Sequence, residues 1–531
     1  LGFRKTLRIA YGSDIYMSDK DTGSFYTPEK LIQYMIDNIK ERVSFEYVLE
    51  PSAGDGRFIS PLKQYSQNIT AIELDQEKVN SFLTVAEENV RIRCADFTEY
   101  SLKENEHYTL IIGNPPYISK TRINEEQRKR SVELVQLFEQ SESLFQNLWV
   151  SFILGSLKLL SDGGAIFFVL PFEFLQVQYA EKLRVFLEEK FNTIEITTFQ
   201  EQVFPDIEQD VCLVFLSNEK AAKPFVKYTT VKSVEEPDII FESVIMRNKP
   251  LRKWSNCILN DDETEHLKNI ARRYPQVKTF GEISPGIVTG ANAFFIVDSN
   301  TVSKLGIEDF AIKIISKSND IKGKFLLEED DYIRLSNNGK KVYLINLNAM
   351  SENDFPMELK TYLEAGEKEE IHERYKCRER KRWYDVPIVK SGEACFFKRF
   401  HFYPRIIVNH AGVYTTDIAY NIRFHKEFDS ESFVFCFYNS LTMALCEYNG
   451  RFYGGGVGEL VPSEFKQLAI PYKKVDKSHS LHIDEMIRSG KPFSLVVDYV
   501  DSVVLELKYE EKALLQNIRN RFIQRRIPET L

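Results

Sequence analysis

From Thr27 to about Ser217 the chain alternates short β-branched runs with stretches whose apolar residues recur every three or four positions. "FYTPEKLIQYMIDNI" reads as a helix capped by Thr27 with Pro28 at its first position. "YVLE" is a strand that breaks at Pro51 into the loop "PSAGDG", "ITAIE" is the next strand, and "QEKVNSFLTVAEEN" is the helix after it. "VRIR" and "TLII" follow, then a helix around 144–160, the turn "SDGG", the strand "AIFFVLP", a helix near 178–190, and the strands "TIEITTF" and "DVCLVFL". Strands and helices alternating in this way predict a mainly parallel sheet covered on both faces, with the last two strands close enough to pair antiparallel.

Between Asn218 and Asn248 the text turns charged and weakly periodic, which predicts a linker. A region rich in Gly, Asn and aromatic residues with mixed strand and helix signals then runs to about Tyr472, and a helical pattern closes the chain. The expected domains are 1–235, 236–475 and 476–531. At 43% apolar and 13% aromatic residues there is ample material for packed cores. The seven cysteines are scattered and never form a CxxC pair, which speaks against a disulfide framework or a zinc site and for a reducing cytoplasm. No window reads as a membrane span and no secretory signal is legible, so no membrane partner and no metal are expected. A net charge of −9 argues against nucleic acid on average, yet "RYKCRERKR" at 374–382 holds six basic residues against one acid. Taken alone, such a run reads as a solvated helix face.

The chemistry gathers at strand ends. A glycine-rich loop between strand and helix lets backbone approach a ligand, and an acid at the end of the next strand can take both ribose hydroxyls. Here the loop is "EPSAGDG", the acid is Glu73, and Gly54 lies nineteen positions before it. The loop is neither GxGxxG nor a phosphate-binding P-loop, so a cofactor with ribose and adenine but no phosphates fits, and S-adenosylmethionine is the common one. "TLII" ends the fourth strand, so "GNPPY" projects from the carboxyl edge of the sheet, where open α/β sheets bind ligands. An exocyclic amine conjugated to its ring is a poor nucleophile. Two acceptors held still, the Asn114 side-chain oxygen and the Pro115 carbonyl, would draw its nitrogen toward tetrahedral geometry, with Pro115 and Pro116 fixing the backbone and Tyr117 free to stack on the heterocycle.

On these residues the chain resembles an adenine-N6 DNA methyltransferase of the γ class, similar to the TaqI type, over roughly residues 23–217. The resemblance implies a Rossmann-like S-adenosylmethionine-dependent methyltransferase sheet, then a mixed α+β DNA target-recognition domain and a helical C-terminal segment. It implies cofactor contacts from Thr27, from Glu50, Ser52, Ala53, Gly54, Asp55 and Gly56 of the loop, and from Glu73 at the ribose. Asp96 would meet the adenine amine, Phe97 its ring, and Phe152 the cofactor from a later helix, with Asn114 between cofactor and target. "QEQVFPDIEQDVCLVFL" resembles the hairpin whose phenylalanine, here Phe204, stacks on a flipped-out adenine opposite Tyr117. Each has a plainer reading: Phe97 and Phe152 as core, Asp96 as a turn acid, Thr27 as a helix cap. Phe204 sits before a strand, in a stretch expected to be a loop.

In the second domain "GIVTGANAFFIV" and "RFYGGGVGELVPSEFKQLAIP" resemble the opening and closing stretches of target-recognition regions. The glycines at 454–456 permit close approach to a phosphate or make a flexible loop. Arg374, Lys376, Arg378, Arg380, Lys381, Arg382, Lys398 and Arg399 interleave with aromatics and are the expected phosphate contacts. The partner implied is double-stranded DNA, with room for a separate cognate restriction endonuclease, in a bacterial or phage-encoded, nucleoid-associated cytoplasmic protein serving restriction-modification or phage defence. NPPY also serves N5-glutamine and RNA guanine-N2 methyltransferases, and a DNA-binding subunit with a decayed methyltransferase core is the non-enzyme alternative. "PDIIFESV" lacks the lysine of an ExK metal site, which speaks against a fused nuclease.

Overall fold

The computed structural model describes residues 26–82, 89–204, 210–218, 223–247, 250–251, 253–453 and 456–527. The chain divides into two compact units, Leu1–Ile258 and Leu259–Leu531.

The first unit is built on one nine-stranded sheet. Its strands are β1 (Val48–Glu50), β2 (Ile69–Glu73), β3 (Val90–Cys94), β4 (Tyr108–Gly113), β5 (Leu160–Pro171), β6 (Thr193–Phe199), β7 (Val211–Ser217), β8 (Phe225–Val231) and β9 (Ile239–Met246). The order is β3-β2-β1-β4-β5-β7-β6-β8-β9. Strands β3 to β5 run parallel, and β7 enters antiparallel between β5 and β6. A doubly wound sheet reverses direction of winding between β1 and β4, and the crevice at that point opens at the strands' carboxyl ends. The loops after β1, β2 and β4 therefore converge there, although they are far apart in sequence.

The helices are α1 (Glu29–Ile39), α2 (Ile59–Leu62), α3 (Gln76–Phe82), α4 (Phe97–Lys103), α5 (Glu125–Leu137), α6 (Leu148–Leu159) and α7 (Glu181–Lys190). Helix α1 presents Leu31, Ile32, Met35, Ile36 and Ile39 to the core. Its cap is Pro28, whose carbonyl accepts from Leu31 and Ile32, so the cap lies one residue later than expected and Thr27 is simply buried. The later part of the helix expected over 76–89 lies outside the described residues. The expected turn at 161–164 is drawn into β5, with Gly163 at φ +76°. Helix α6 starts later than expected, at Leu148, because Leu148 donates to Ile118 and Ser119 bridges Asn147.

The stretch expected to be a linker instead extends the sheet. Strand β8 pairs parallel with β6, and β9 pairs antiparallel with β8. A division at 235/236 would fall between these paired strands. Beyond β9, Trp254 is buried against Phe174 and donates to Glu188 at 2.6 Å, which fastens the chain to this unit as far as Ile258.

Among its described residues the second unit carries sheets of five, four and three strands. The five-stranded sheet runs Gly281–Pro285, Ala419–Phe424, Ala394–Phe397, Arg405–Asn409 and Leu326–Leu327. The C-terminal pattern forms helices Lys477–Arg488, Phe493–Val504 and Tyr509–Arg526, which belong to this unit. Asp484 accepts from the Phe325 and Leu326 backbone, and the buried Arg526 pairs with Glu447 and donates to the Gly456 carbonyl at 2.7 Å.

One packing contact in the first unit leaves no slack. A Cβ on Gly155 of α6 would lie 2.7 Å from Ser101 Oγ and 3.0 Å from the Phe97 ring of α4. Gly155→Ala is expected to cost ~1–3 kcal/mol through overpacking, read as a lowered urea midpoint with unchanged slope. A midpoint equal to the parent's would show that α4 and α6 have room to part.

Candidate active site

Strand β1 ends in Glu50 and the turn Pro51–Gly56. Gly54 and Gly56 take φ +59° and +80°, a left-handed backbone that side chains rarely adopt, so these two positions need glycine. The turn aims the Gly54 N–H at Glu73, which accepts it at 2.7 Å, while the other Glu73 oxygen accepts from the Asp75 N–H at 2.9 Å. The loop and Glu73, linked in the sequence only by spacing, are thus joined by a hydrogen bond. The half-exposed Tyr26 lies over this turn, its ring 3.6 Å from where a Gly54 side chain would begin. The Arg57 guanidinium sits 5.2 Å from the same ring. The sequence marks Tyr26 only by its place directly before Thr27.

Glu50 is 1% exposed, and its Oε2 meets no donor among the described residues. Burial first, then the Glu73 and Asp55 carboxylates, push its carboxyl well above the ordinary value. Ala53 is buried, and Asp55 pairs with Arg57 at 2.6 Å. Ser52 Oγ donates to the Asn114 carbonyl at 3.0 Å and ties this turn to the loop after β4. Gly113 lets the two strand ends approach, since a Cβ there would stand 3.3 Å from Pro51.

The Asn114–Tyr117 loop is pinned behind by Lys120 donating to Gln146 and Leu148 donating to Ile118. Pro115 is buried, and Asn114, Pro116 and Tyr117 are half-buried. The Tyr117 hydroxyl lies 2.9 Å from Asn114 Oδ1 and 3.2 Å from the Val169 carbonyl, so one O–H is shared between two acceptors. Burial keeps that hydroxyl protonated well above the ordinary phenol range. Tyr117 packs against the core cluster to which Phe204 belongs. At 6% exposure Phe204 lies in that buried cluster, which gathers residues of helices and strands distant in sequence, although the stretch before β7 reads as a loop.

Asp96 caps α4, accepting from the Thr98 N–H at 2.8 Å. Phe97 and Phe152 are both buried and meet each other, ring centroids 4.8 Å apart, so each is packed as core between α4 and α6.

The basic run of the second unit divides in two. Arg374, Lys376, Arg378 and Lys381 are exposed. Arg380 and Arg382 are not free to hold phosphates. Arg380 donates to the carbonyls of Thr289 at 2.7 Å, Val288 and Trp383, and lies over the Phe295 ring. Arg382 grips Asp385 with two bonds of 2.8 Å and donates to Met350 and Leu347. Main-chain carbonyls brought up by distant segments have claimed both guanidinium groups. Lys398 stands 3.8 Å from Asp417, and the exposed Arg399 stands 3.6 Å from Glu459. Gly454 and Gly455 lie outside the described residues; Gly456 takes φ +72° against the Arg526 carbonyl.

Comparison with known proteins gives two family models. Residues 31–204 match the Eco57I restriction-modification methylase, and residues 251–505 match the C-terminal domain of type II methyltransferase M.Eco57I. The type II methyltransferase M.AccI of Acinetobacter calcoaceticus is 24% identical over 93% of this chain and 94% of its own length. M.XamI of Xanthomonas campestris pv. amaranthicola is 20% identical over 85% of each. Among solved structures, the type IIL restriction-modification enzyme MmeI in complex with DNA superposes with a TM-score of 0.52, at 11% identity, over 94% of this chain and 73% of that one. That match shows a shared fold.

The methyl donor of such enzymes is S-adenosylmethionine, and the residues at the β1–β4 crevice fit it. The left-handed glycine turn presents backbone without side chains at the crevice, and the buried Glu50 oxygen that meets no donor among the described residues suits a cationic ligand. Glu50 also predicts a pH effect. A carboxyl whose folded pKa is raised stabilises the fold fully below its ordinary pKa and loses that contribution as pH rises. Glu50→Gln is therefore expected to match the parent's denaturant midpoint near pH 4.5 and exceed it at pH 8. Equal midpoints at both would mean Glu50 is not held protonated.

Proposed function

The chain belongs to the type II restriction-modification methyltransferases, and on that footing we propose that it methylates N6 of an adenine flipped out of duplex DNA. The observation that carries this reading is the meeting of two loops at the β1–β4 crevice. The Pro51–Gly56 turn, with Glu73 bonded to it, is joined through Ser52 to the Asn114 carbonyl. A cofactor turn and a set of amine acceptors are thereby held on one rigid edge. In this reading Glu73 takes the ribose hydroxyls, and Glu50 answers the positive charge of the methionine end.

Asn114 Oδ1 and the Pro115 carbonyl accept the two hydrogens of the target amine. They pull its nitrogen out of conjugation and aim the lone pair at the methyl group. Bound there, S-adenosylmethionine would supply that group from its sulfonium, the N–CH₃ bond replacing the S–CH₃ bond as the thioether departs, and the proton shed by nitrogen would go to water. The Tyr117 O–H lies within reach of both Asn114 Oδ1 and the Val169 carbonyl, and turning wholly to Val169 gives up its bond to Asn114 Oδ1 without moving the ring. The ring then stacks on the base. For Phe204 to face the other side of the base, it must turn out of the core cluster. Flipping costs a few kcal/mol of unstacking, which stacking and contacts from the second unit offset.

The second unit is proposed to recognise the duplex. Arg374, Lys376, Arg378 and Lys381 carry phosphate contacts in this reading, and the protein works in the cytoplasm of a bacterial host beside a cognate endonuclease.

Asn114→Ala is expected to lower the single-turnover rate on duplex DNA by about 10²–10³ while cofactor affinity holds, since it removes one aimed acceptor. More than half the parental rate would remove Asn114 from this role. Replacing Lys376, Arg378 and Lys381 together by Ala is expected to flatten the salt dependence of DNA binding by ~0.9 log units per log unit of salt for each phosphate no longer neutralised, with base preference unchanged. An unaltered slope would make the run a solvated face. Methyl transfer to a glutamine peptide or RNA, with none to duplex DNA, would overturn the substrate assignment.

A further inference from the structure

Asp96 receives more donors than a helix cap requires. Its Oδ1 accepts from the Thr98 N–H at 2.8 Å and the Thr98 hydroxyl at 2.6 Å. Its Oδ2 accepts from Gln127 Nε2 at 3.1 Å and Arg130 Nη1 at 3.4 Å. A carboxylate offers about four lone-pair sites, so these donors fill it. Both donors to Oδ2 come from α5, the helix that follows directly on the Asn114–Tyr117 loop.

The two α5 donors differ. Gln127 is 8% exposed, and losing its bond would strand a buried amide. The Arg130 side chain is 26% exposed, makes the longest of the four bonds, and already reaches Glu99 at 3.0 Å and Glu126 at 3.5 Å. It has somewhere else to go.

We propose that Gln127 and Arg130 are positioning residues of the cofactor site, and that the adenine amine of the cofactor takes the Asp96 lone pair that Arg130 occupies. Gln127 keeps the carboxylate turned, and Arg130 withdraws onto Glu99 and Glu126. Cofactor binding therefore removes one of the two ties between α5 and Asp96. Because α5 continues the loop that carries Asn114, occupancy of the cofactor site reaches the amine acceptors through this helix. The inference rests on Asp96 as the acceptor of the adenine amine.

The test is calorimetry of the full chain with S-adenosylhomocysteine and S-inosylhomocysteine, which differ in presenting an amino donor or an oxo acceptor at the same ring position. Arg130→Met is expected to bind the adenosyl compound roughly two- to fivefold more tightly, the range a partly exposed ion pair allows. The inosyl affinity should stay near the parent's, so the ratio widens, and Arg130→Lys should restore the parental ratio. A merely structural loss would weaken both ligands alike. Asp96→Asn serves as the control on the underlying reading. If it collapses the ratio while Arg130→Met leaves it unchanged, Arg130 is no competitor and the inference fails alone. If Asp96→Asn also leaves the ratio unchanged, Asp96 does not meet the amine and both fall. Should Arg130→Met not fold, amide exchange of the parent chain decides: S-adenosylhomocysteine should speed exchange in the first turns of α5, and slower or unchanged exchange would overturn the proposal.

Discussion

The Gly54 N–H donates to the Glu73 carboxylate at 2.7 Å, and the carboxyl edge of the sheet is organised around that bond. It needs a left-handed glycine to turn the N–H outward and β2 beside β1 to bring the acid within reach. Once formed, it fixes the turn that Ser52 then ties to Asn114. The two segments, one proposed for a cofactor and one for an amine, thus share a frame held by the chain's own bonds.

A buried polar edge cannot stand idle, because an acceptor left unmade costs about as much as a lost hydrogen bond. The chain meets most of this demand itself. Tyr117 covers Asn114, while Thr98, Gln127 and Arg130 cover Asp96. Ligands in this account arrive by exchanging one donor for another, which keeps the net cost of opening small. Glu50 is the exception: its unmet oxygen sits beside two further carboxylates, a place where positive charge is welcome.

How much of this the sequence disclosed followed the range of the interactions. The "PSAGDG" turn, Glu73 and the antiparallel β6–β7 pair were legible because backbone conformation and strand alternation are local. Helix α5 was passed over because it buries only Gln127, Ser131, Leu134 and Val135, too few apolar positions to show a helical period. Strands β8 and β9 read as linker because β9 is an edge strand with Ile239, Ile240, Val244 and Met246 exposed among charges. Arg380 and Arg382 look like their exposed neighbours in the text. Only the fold brings up the carbonyls that hold them, from Thr289, Leu347 and Met350. Phe204 likewise reads as a loop residue in the text, and only the fold gathers it into a core cluster with residues of distant strands and helices.

On the proposed reading the Asn114 loop prepares an adenine amine for methyl transfer. The most direct measurement is to incubate the full chain with duplex DNA and isotopically methyl-labelled S-adenosylmethionine, digest the product to nucleosides and identify the labelled species by mass spectrometry. Label is expected in N6-methyl-2′-deoxyadenosine alone; label in N4-methylcytosine or 5-methylcytosine would rule out the adenine amine as the acceptor.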